Sequence, residues 1–145
     1  MFLPPLDLGA VMYLLTPTRR VGSDYLPGVL AMVPKVIHWD PQWGPLAEDA
    51  MQHRLTAEGY GVSRYRYKVG TRYPMHAHGM DKIETVLSGR LKIAWDADAA
   101  VLEAGDMIAI PAGVRHSAEV VGMEAVVSLD ATRKAARDAA SAAAI

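Results

Sequence analysis

The chain has 145 residues and a mass of 15.7 kDa, the size of one ordinary domain. Hydrophobic residues make up 51% and charged residues 21%, and 15 Lys and Arg face 16 Asp and Glu, so the composition is globular and no basic excess advertises a nucleic-acid partner. Cysteine is absent, which excludes disulfides, thiolate metal sites and a cysteine nucleophile and leaves five histidines and the carboxylates to supply any metal ligand or base.

Residues 1–36 carry Pro4, Pro5, Pro17, Pro27 and Pro34 and little periodicity, which predicts an irregular or extended segment. No apolar run reaches the roughly 20 residues that cross a bilayer, so no membrane association is expected. Asp7 and the early prolines interrupt the apolar start, and a cytoplasmic location is expected over a secreted one. Residues 37–58 read as a turn at Trp39–Gly44 followed by a short helix over Pro45–Glu58, with Leu46, Ala50, Met51 and Leu55 at helical spacing.

From residue 59 to 130 the texture is one of short β-prone runs divided by turn residues. The expected strands are 60–69, 73–78, 83–87, 91–95, 99–102, 107–110, 115–121 and 125–129. Gly70, Gly89, Gly105, Gly113 and Gly122 stand at the turns. Many short strands at this spacing predict an all-β sandwich or barrel. The row Arg64, Arg66, Lys68, Arg72 with interleaved tyrosines reads as the outward face of an edge strand. Residues 131–145 are alanine-rich and read as a C-terminal helical tail.

The chemistry concentrates in two stretches. In GTRYPMHAHGMDKIETVLSG, residues 70–89, His76 and His78 are two apart, and in a strand they share a face. In GDMIAIPAGVRH, residues 105–116, a Gly–Pro–Gly turn precedes His116. If those strands lie side by side, three imidazoles converge on one point. Neutral imidazole ligates Fe, Mn, Ni or Zn, and the expectation is one divalent ion from that set.

These residues resemble the cupin superfamily. Its first motif, G(X)5HXH(X)3–4E(X)6G, is met by Gly70, His76, His78 and Gly89. Its second, G(X)5PXG(X)2H(X)3N, is met by Gly105, Pro111, Gly113 and His116. The resemblance covers about residues 60–129 and the 15-residue spacing between motifs is that of small bacterial single-domain cupins. It implies an all-β, small antiparallel barrel or jelly roll, here with short flanking helices, and a metal at its centre. It implies no single reaction.

Two positions depart from the pattern. Lys82 stands where the family places its carboxylate ligand, and Val120 where it places asparagine. Three arrangements follow for the first: His76, His78 and His116 hold the metal alone; Glu84, on the same face two residues on, becomes a fourth ligand; or Lys82 pairs with Glu84 or Asp81. Lys82 itself reads equally as a solvent-facing residue or as an acid, base or anion anchor by the metal. His38 and His53 read as surface or helix residues.

The expected function is a metal-binding cupin acting as a mononuclear metal-dependent enzyme of the dioxygenase or isomerase type on a small molecule. Glu84 or Lys82 would move protons. The alternatives are a non-catalytic ligand-binding or sensory module and a scaffold with a vestigial site. The resemblance also implies a homodimer.

Overall fold

The computed structural model describes residues 33–135; the expectations for residues 1–32 and for a tail beyond 135 lie outside the described residues. Nine strands fill this span: β1 (Lys35–His38), β2 (Gly61–Tyr67), β3 (Arg72–His76), β4 (Asp81–Thr85), β5 (Arg90–Trp95), β6 (Asp98–Leu102), β7 (Asp106–Ile110), β8 (His116–Val121) and β9 (Val126–Arg133). They form two antiparallel sheets, one in the order β1-β7-β4-β9-β2 and the other β3-β8-β5-β6. All eight β-prone runs read between 60 and 129 correspond to strands. No helix among the described residues is long and apolar enough to cross a membrane.

A 3-10 turn at Pro41–Trp43 is capped by the Asp40 side chain, and helix α1 (Glu48–Ala57) follows. Glu48 and Asp49 in its first turn and Arg54 in its last complement the helix dipole. Met51 and Leu55 are fully buried against Ile83, Met107, Ala109, Leu129 and Ala131, on the outer face of the five-stranded sheet. The other face of that sheet points between the sheets, where Ile108, Ile110, Val86 and Val126 meet Leu91, Ile93 and Val120 of the second sheet. The first sheet is thus covered on both sides. This explains why β7 is apolar without polar alternation from Met107 to Ile110, which is the pattern of a doubly buried strand.

Two boundaries differ from the sequence expectation. Residues 35–38, expected as irregular chain and turn, are strand β1, because Lys35–His38 finds a ladder partner along Asp106–Ala109 of β7. Residues 131–133, expected to start a helical tail, extend β9. Thr132 pairs with Gly61 on one side and Lys82 on the other, and Ala131 packs beneath α1. Ladder bonds on both sides override the helix propensity of alanine.

Gly89 closes the first motif with φ +83°, and a Cβ there would lie 2.5 Å from the Ala125 carbonyl oxygen. Both facts require glycine. Thr85 is fully buried, accepts from Leu129 N–H and donates to the Leu129 carbonyl, both at 2.9 Å. Thr85→Val keeps the shape and orphans both backbone groups. It is expected to destabilise the protein by about 1–3 kcal/mol, read as a lower midpoint in urea with unchanged slope.

Candidate metal centre

The site is built on the inner faces of both sheets at one end of the barrel. β3 contains a bulge: Tyr73 pairs with Ala118 and His76 with His116, so one extra residue lies on β3 between the two pairs. Pro74, which has no ladder donor, sits in that bulge. The bulge turns the Pro74 carbonyl onto the His76 ring, and Nδ1 donates to it at 2.6 Å. His116 opens β8 and donates from Nδ1 to the Val114 carbonyl at 2.9 Å. A carbonyl can only accept, so both imidazoles carry their proton on Nδ1 and leave the Nε2 lone pair free.

His78 lies two residues beyond the end of β3, not within the strand as its spacing predicted. Its backbone is held instead by the Pro111–Val114 turn, where Gly113 at φ +85° donates its N–H to the His78 carbonyl at 2.8 Å. The two sequence motifs are thereby joined directly.

The three rings converge. Their centroids are 4.8 Å apart for His76 and His78, 4.5 Å for His76 and His116, and 5.1 Å for His78 and His116. One ring nitrogen from each lies within 4.8 Å of the others. Two nitrogens bound to one ion at about 2.1 Å are at most about 4.2 Å apart, so movements of a few tenths of an ångström bring these onto a common ion. His78 Nε2 is buried with no hydrogen-bond partner. An orphaned, buried ring nitrogen facing two others is what a cation site uses and what a packed core avoids.

Burial pushes His78 down to about 4, with Lys82 and the other two imidazoles adding to the effect. Burial also lowers His116, against the opposing bond to Val114. His78 and His116 are therefore neutral and ligand-competent at pH 7. In metal-free protein the sign follows directly. The unfolded chain takes up the His78 proton below about 6.5 and the folded chain only near 4. Stability is therefore full above pH 6.5 and falls as pH drops from 6.5 toward 4. Denaturant midpoints measured across this range are expected to decline, and to decline less in His78→Ala.

Glu84 does not join this triad. Its carboxylate accepts from Ser128 Oγ at 2.7 Å and from Tyr67 Oη at 3.4 Å, and pairs with Lys82 Nζ at 3.2 Å. Lys82 Nζ also meets Asp130 at 2.8 Å. The pairing register explains the cluster: Glu84 lies opposite Asp130, and Lys82, Glu84, Ser128 and Asp130 all project between the sheets. The Lys82 side chain is only 11% exposed, so it is an interior residue and not a solvent-facing one. Burial alone would lower its pKa, but Glu84 and Asp130 outweigh burial and raise it, so the ammonium stays charged. Burial raises the Glu84 carboxyl and Lys82 opposes that rise.

His76, His78, His116, Lys82, Glu84 and Asp130 line one cavity of about 220 Å³. Its remaining wall is largely aromatic and aliphatic. Tyr65 and Tyr67 stack at 6.0 Å, Tyr73 meets Tyr67 edge-on at 5.8 Å, and Leu91, Ile93 and Ile110 close the far side. Burial, aided by Glu84, raises the Tyr67 phenol, which stays protonated.

Residues 63–132 match the sequence model of the family described as the cupin domain. Over these residues the barrel is similar to the cupin domain. Among solved structures the barrel resembles a conserved protein of unknown function from Streptococcus pyogenes, at 28% identity over 52% of this chain and 64% of that one (TM-score 0.47). It also resembles an RmlC-like cupin from Shewanella frigidimarina, at 24% identity over 55% and 69% (TM-score 0.47). A Cupin 2 conserved barrel domain protein from Salinispora arenicola matches at 22% identity over 59% and 72% (TM-score 0.48). The match thus spans just under two thirds of the streptococcal chain. No curated protein matches.

Within this barrel, the sequence reading brought His76, His78 and His116 together. It missed Ser128 and Asp130. Their signal was present: two polar residues at i and i+2 inside the apolar run VVSLDA, on the face that carries Val126 into the barrel interior. His38 pairs with Asp106 at 2.6 Å far out on β1, as a surface residue.

Proposed function

We propose that this protein binds one divalent ion, Fe, Mn, Ni or Zn, through His76, His78 and His116 and acts as a mononuclear metal-dependent enzyme of the dioxygenase or isomerase type on a small molecule. The observation that carries this is the triad of imidazoles, with Nδ1 engaged on His76 and His116, Nε2 unpartnered on His78, and no carboxylate among them. Three protein ligands leave coordination positions for substrate and water. When bound, the ion supplies Lewis-acid polarisation of a substrate oxygen. The chain's own residues do the rest: the Tyr65–Tyr67–Tyr73 wall packs the substrate, and Glu84, hydrogen-bonded to Tyr67 and Ser128, moves the proton.

A second reading, a binding or sensory module without turnover, is favoured by one observation. Lys82 and Glu84 neutralise each other, which leaves neither as an unengaged base. Substrate-dependent oxygen uptake or isomerisation by metal-loaded protein, on a panel of phenols and diketones, supports the enzyme. Stoichiometric binding of the same compounds with no product supports the module. A homodimer and a cytoplasmic location complete the proposal. Sedimentation at micromolar concentration tests the first, with a monomer of 15.7 kDa contradicting it.

A further inference from the structure

Two of the three imidazoles depend on a turn that a side chain holds. Among the described residues His78 has no ladder partner, since β3 ends at His76, and its Nε2 is unpartnered. Its place is set by the bond from the Gly113 N–H to the His78 carbonyl at 2.8 Å. His116 meets the same turn by its ring, where Nδ1 lies 2.9 Å from the Val114 carbonyl. His76 does not: its ring rests on the Pro74 carbonyl in the β3 bulge. The turn Pro111–Val114 therefore places two ligands of the triad and not the third.

Asp81 is what fixes that turn. Its Oδ1 accepts from the Ala112 N–H at 2.9 Å. Ala112 is 3% exposed, so solvent offers that amide no ready substitute. Asp81 is the first residue of β4, and its backbone is in register with Arg133 of β9. Its neighbour Lys82 is in register with Ile110 of β7, the residue just before the turn. The carboxylate thus stands on a strand paired on both sides. Two consecutive amides of the turn, Ala112 and Gly113, are held by acceptors from one short loop, Asp81 and His78. The turn's own bond, from the Val114 N–H to the Pro111 carbonyl, is 3.2 Å, at the long end of the hydrogen-bond range.

We propose that Asp81 is a positioning residue of the metal centre: bound to the Ala112 amide, it fixes the Pro111–Val114 turn and through it the places of His78 and His116. Asp81 does not line the cavity of the triad, so it acts through the turn and not on the ligand. The proposal rests on the metal-binding reading above and adds the part that holds the ligands in place.

The test uses the full chain and cobalt(II), whose visible absorption reports its coordination geometry, with affinity from titration calorimetry. Asp81→Ala removes the acceptor, whereas Asp81→Asn keeps an oxygen acceptor and removes the charge. Asp81→Ala is expected to lose at least about tenfold in cobalt affinity, as when an outer partner of a metal ligand is removed, and to change the cobalt spectrum. Asp81→Asn is expected to keep both. Thr85→Val, destabilised away from the turn, controls for stability and should keep both as well. Where Asp81→Ala does not fold, Asp81→Glu, with the charge kept and the acceptor displaced by one methylene, is expected to show the same loss. Failure of the wild type to bind cobalt overturns both the metal reading and this inference. Cobalt binding by the wild type with the same affinity and spectrum in Asp81→Ala, or in Asp81→Glu where it replaces it, overturns the inference alone. An equal loss in Asp81→Asn, which assigns the effect to charge, or in Thr85→Val, which assigns it to stability, does the same.

Discussion

Zinc added to metal-free wild-type protein is expected to raise its melting temperature by roughly 10 °C or more, and to leave His78→Ala unmoved. The magnitude follows from mass action. Ligand at 100 times its dissociation constant stabilises the folded state by about 2.7 kcal/mol, and each kcal/mol moves a domain of about 100 residues by roughly 4 °C or more. The variant isolates one ligand. His78 Nε2 is buried and unpartnered, so in metal-free protein its removal also relieves an unsatisfied polar group. The metal-free variant is therefore expected to be about as stable as the wild type, whereas the zinc-loaded wild type exceeds both. A side chain placed for packing would show the reverse: a destabilised variant and no dependence on zinc. Differential scanning fluorimetry with and without zinc distinguishes the two.

Lys82→Met is expected to lower stability by about 3–5 kcal/mol at pH 7, among the largest single effects in the barrel. Glu84 is 6% exposed and Asp130 16%, and the ammonium between them is their shared counter-ion. Removing it leaves two buried carboxylates facing each other across β4 and β9. The pH dependence has a definite sign. Burial and Asp130 already raise Glu84, with Lys82 opposing. Without Lys82 the carboxyl rises further above its unfolded value. A group raised in the folded state is stabilising below its unfolded pKa and loses that contribution as pH climbs through the folded one. The deficit of Lys82→Met should therefore shrink as pH falls from 7 toward 4.5, when Glu84 takes up a proton and donates it to Asp130. Urea midpoints for wild type and variant across that range measure the difference directly.

Much of this was legible in the amino-acid sequence, for reasons that differ by residue. The strands were legible because glycines and short β-prone runs punctuate residues 60–129 at regular intervals. The triad was legible because spacing is a local property: Gly70 to His78 and Gly105 to His116 each fall within a few residues of one turn. β1 was not legible, since a strand of four residues exists by virtue of its partner, and that partner, β7, is some seventy residues away. The end of β9 was hidden by alanine, which favours helix in isolation and strand only when two neighbours offer ladder bonds. The orientation of Lys82 was undecidable locally. It depends on Asp130, brought opposite by the β4–β9 register and nearly fifty residues distant in sequence. His78 was placed on the correct side for an incomplete reason: strand alternation predicted it, but the Gly113 hydrogen bond holds it.

The central claim is that His76, His78 and His116 together form one metal site. Elemental analysis of the protein as isolated, set beside the His76→Ala, His78→Ala double variant purified in the same way, tests it most directly. The account predicts close to one equivalent of a single divalent transition metal in the wild type and almost none in the variant. Equal metal content in the two proteins, whether high or negligible, would contradict it.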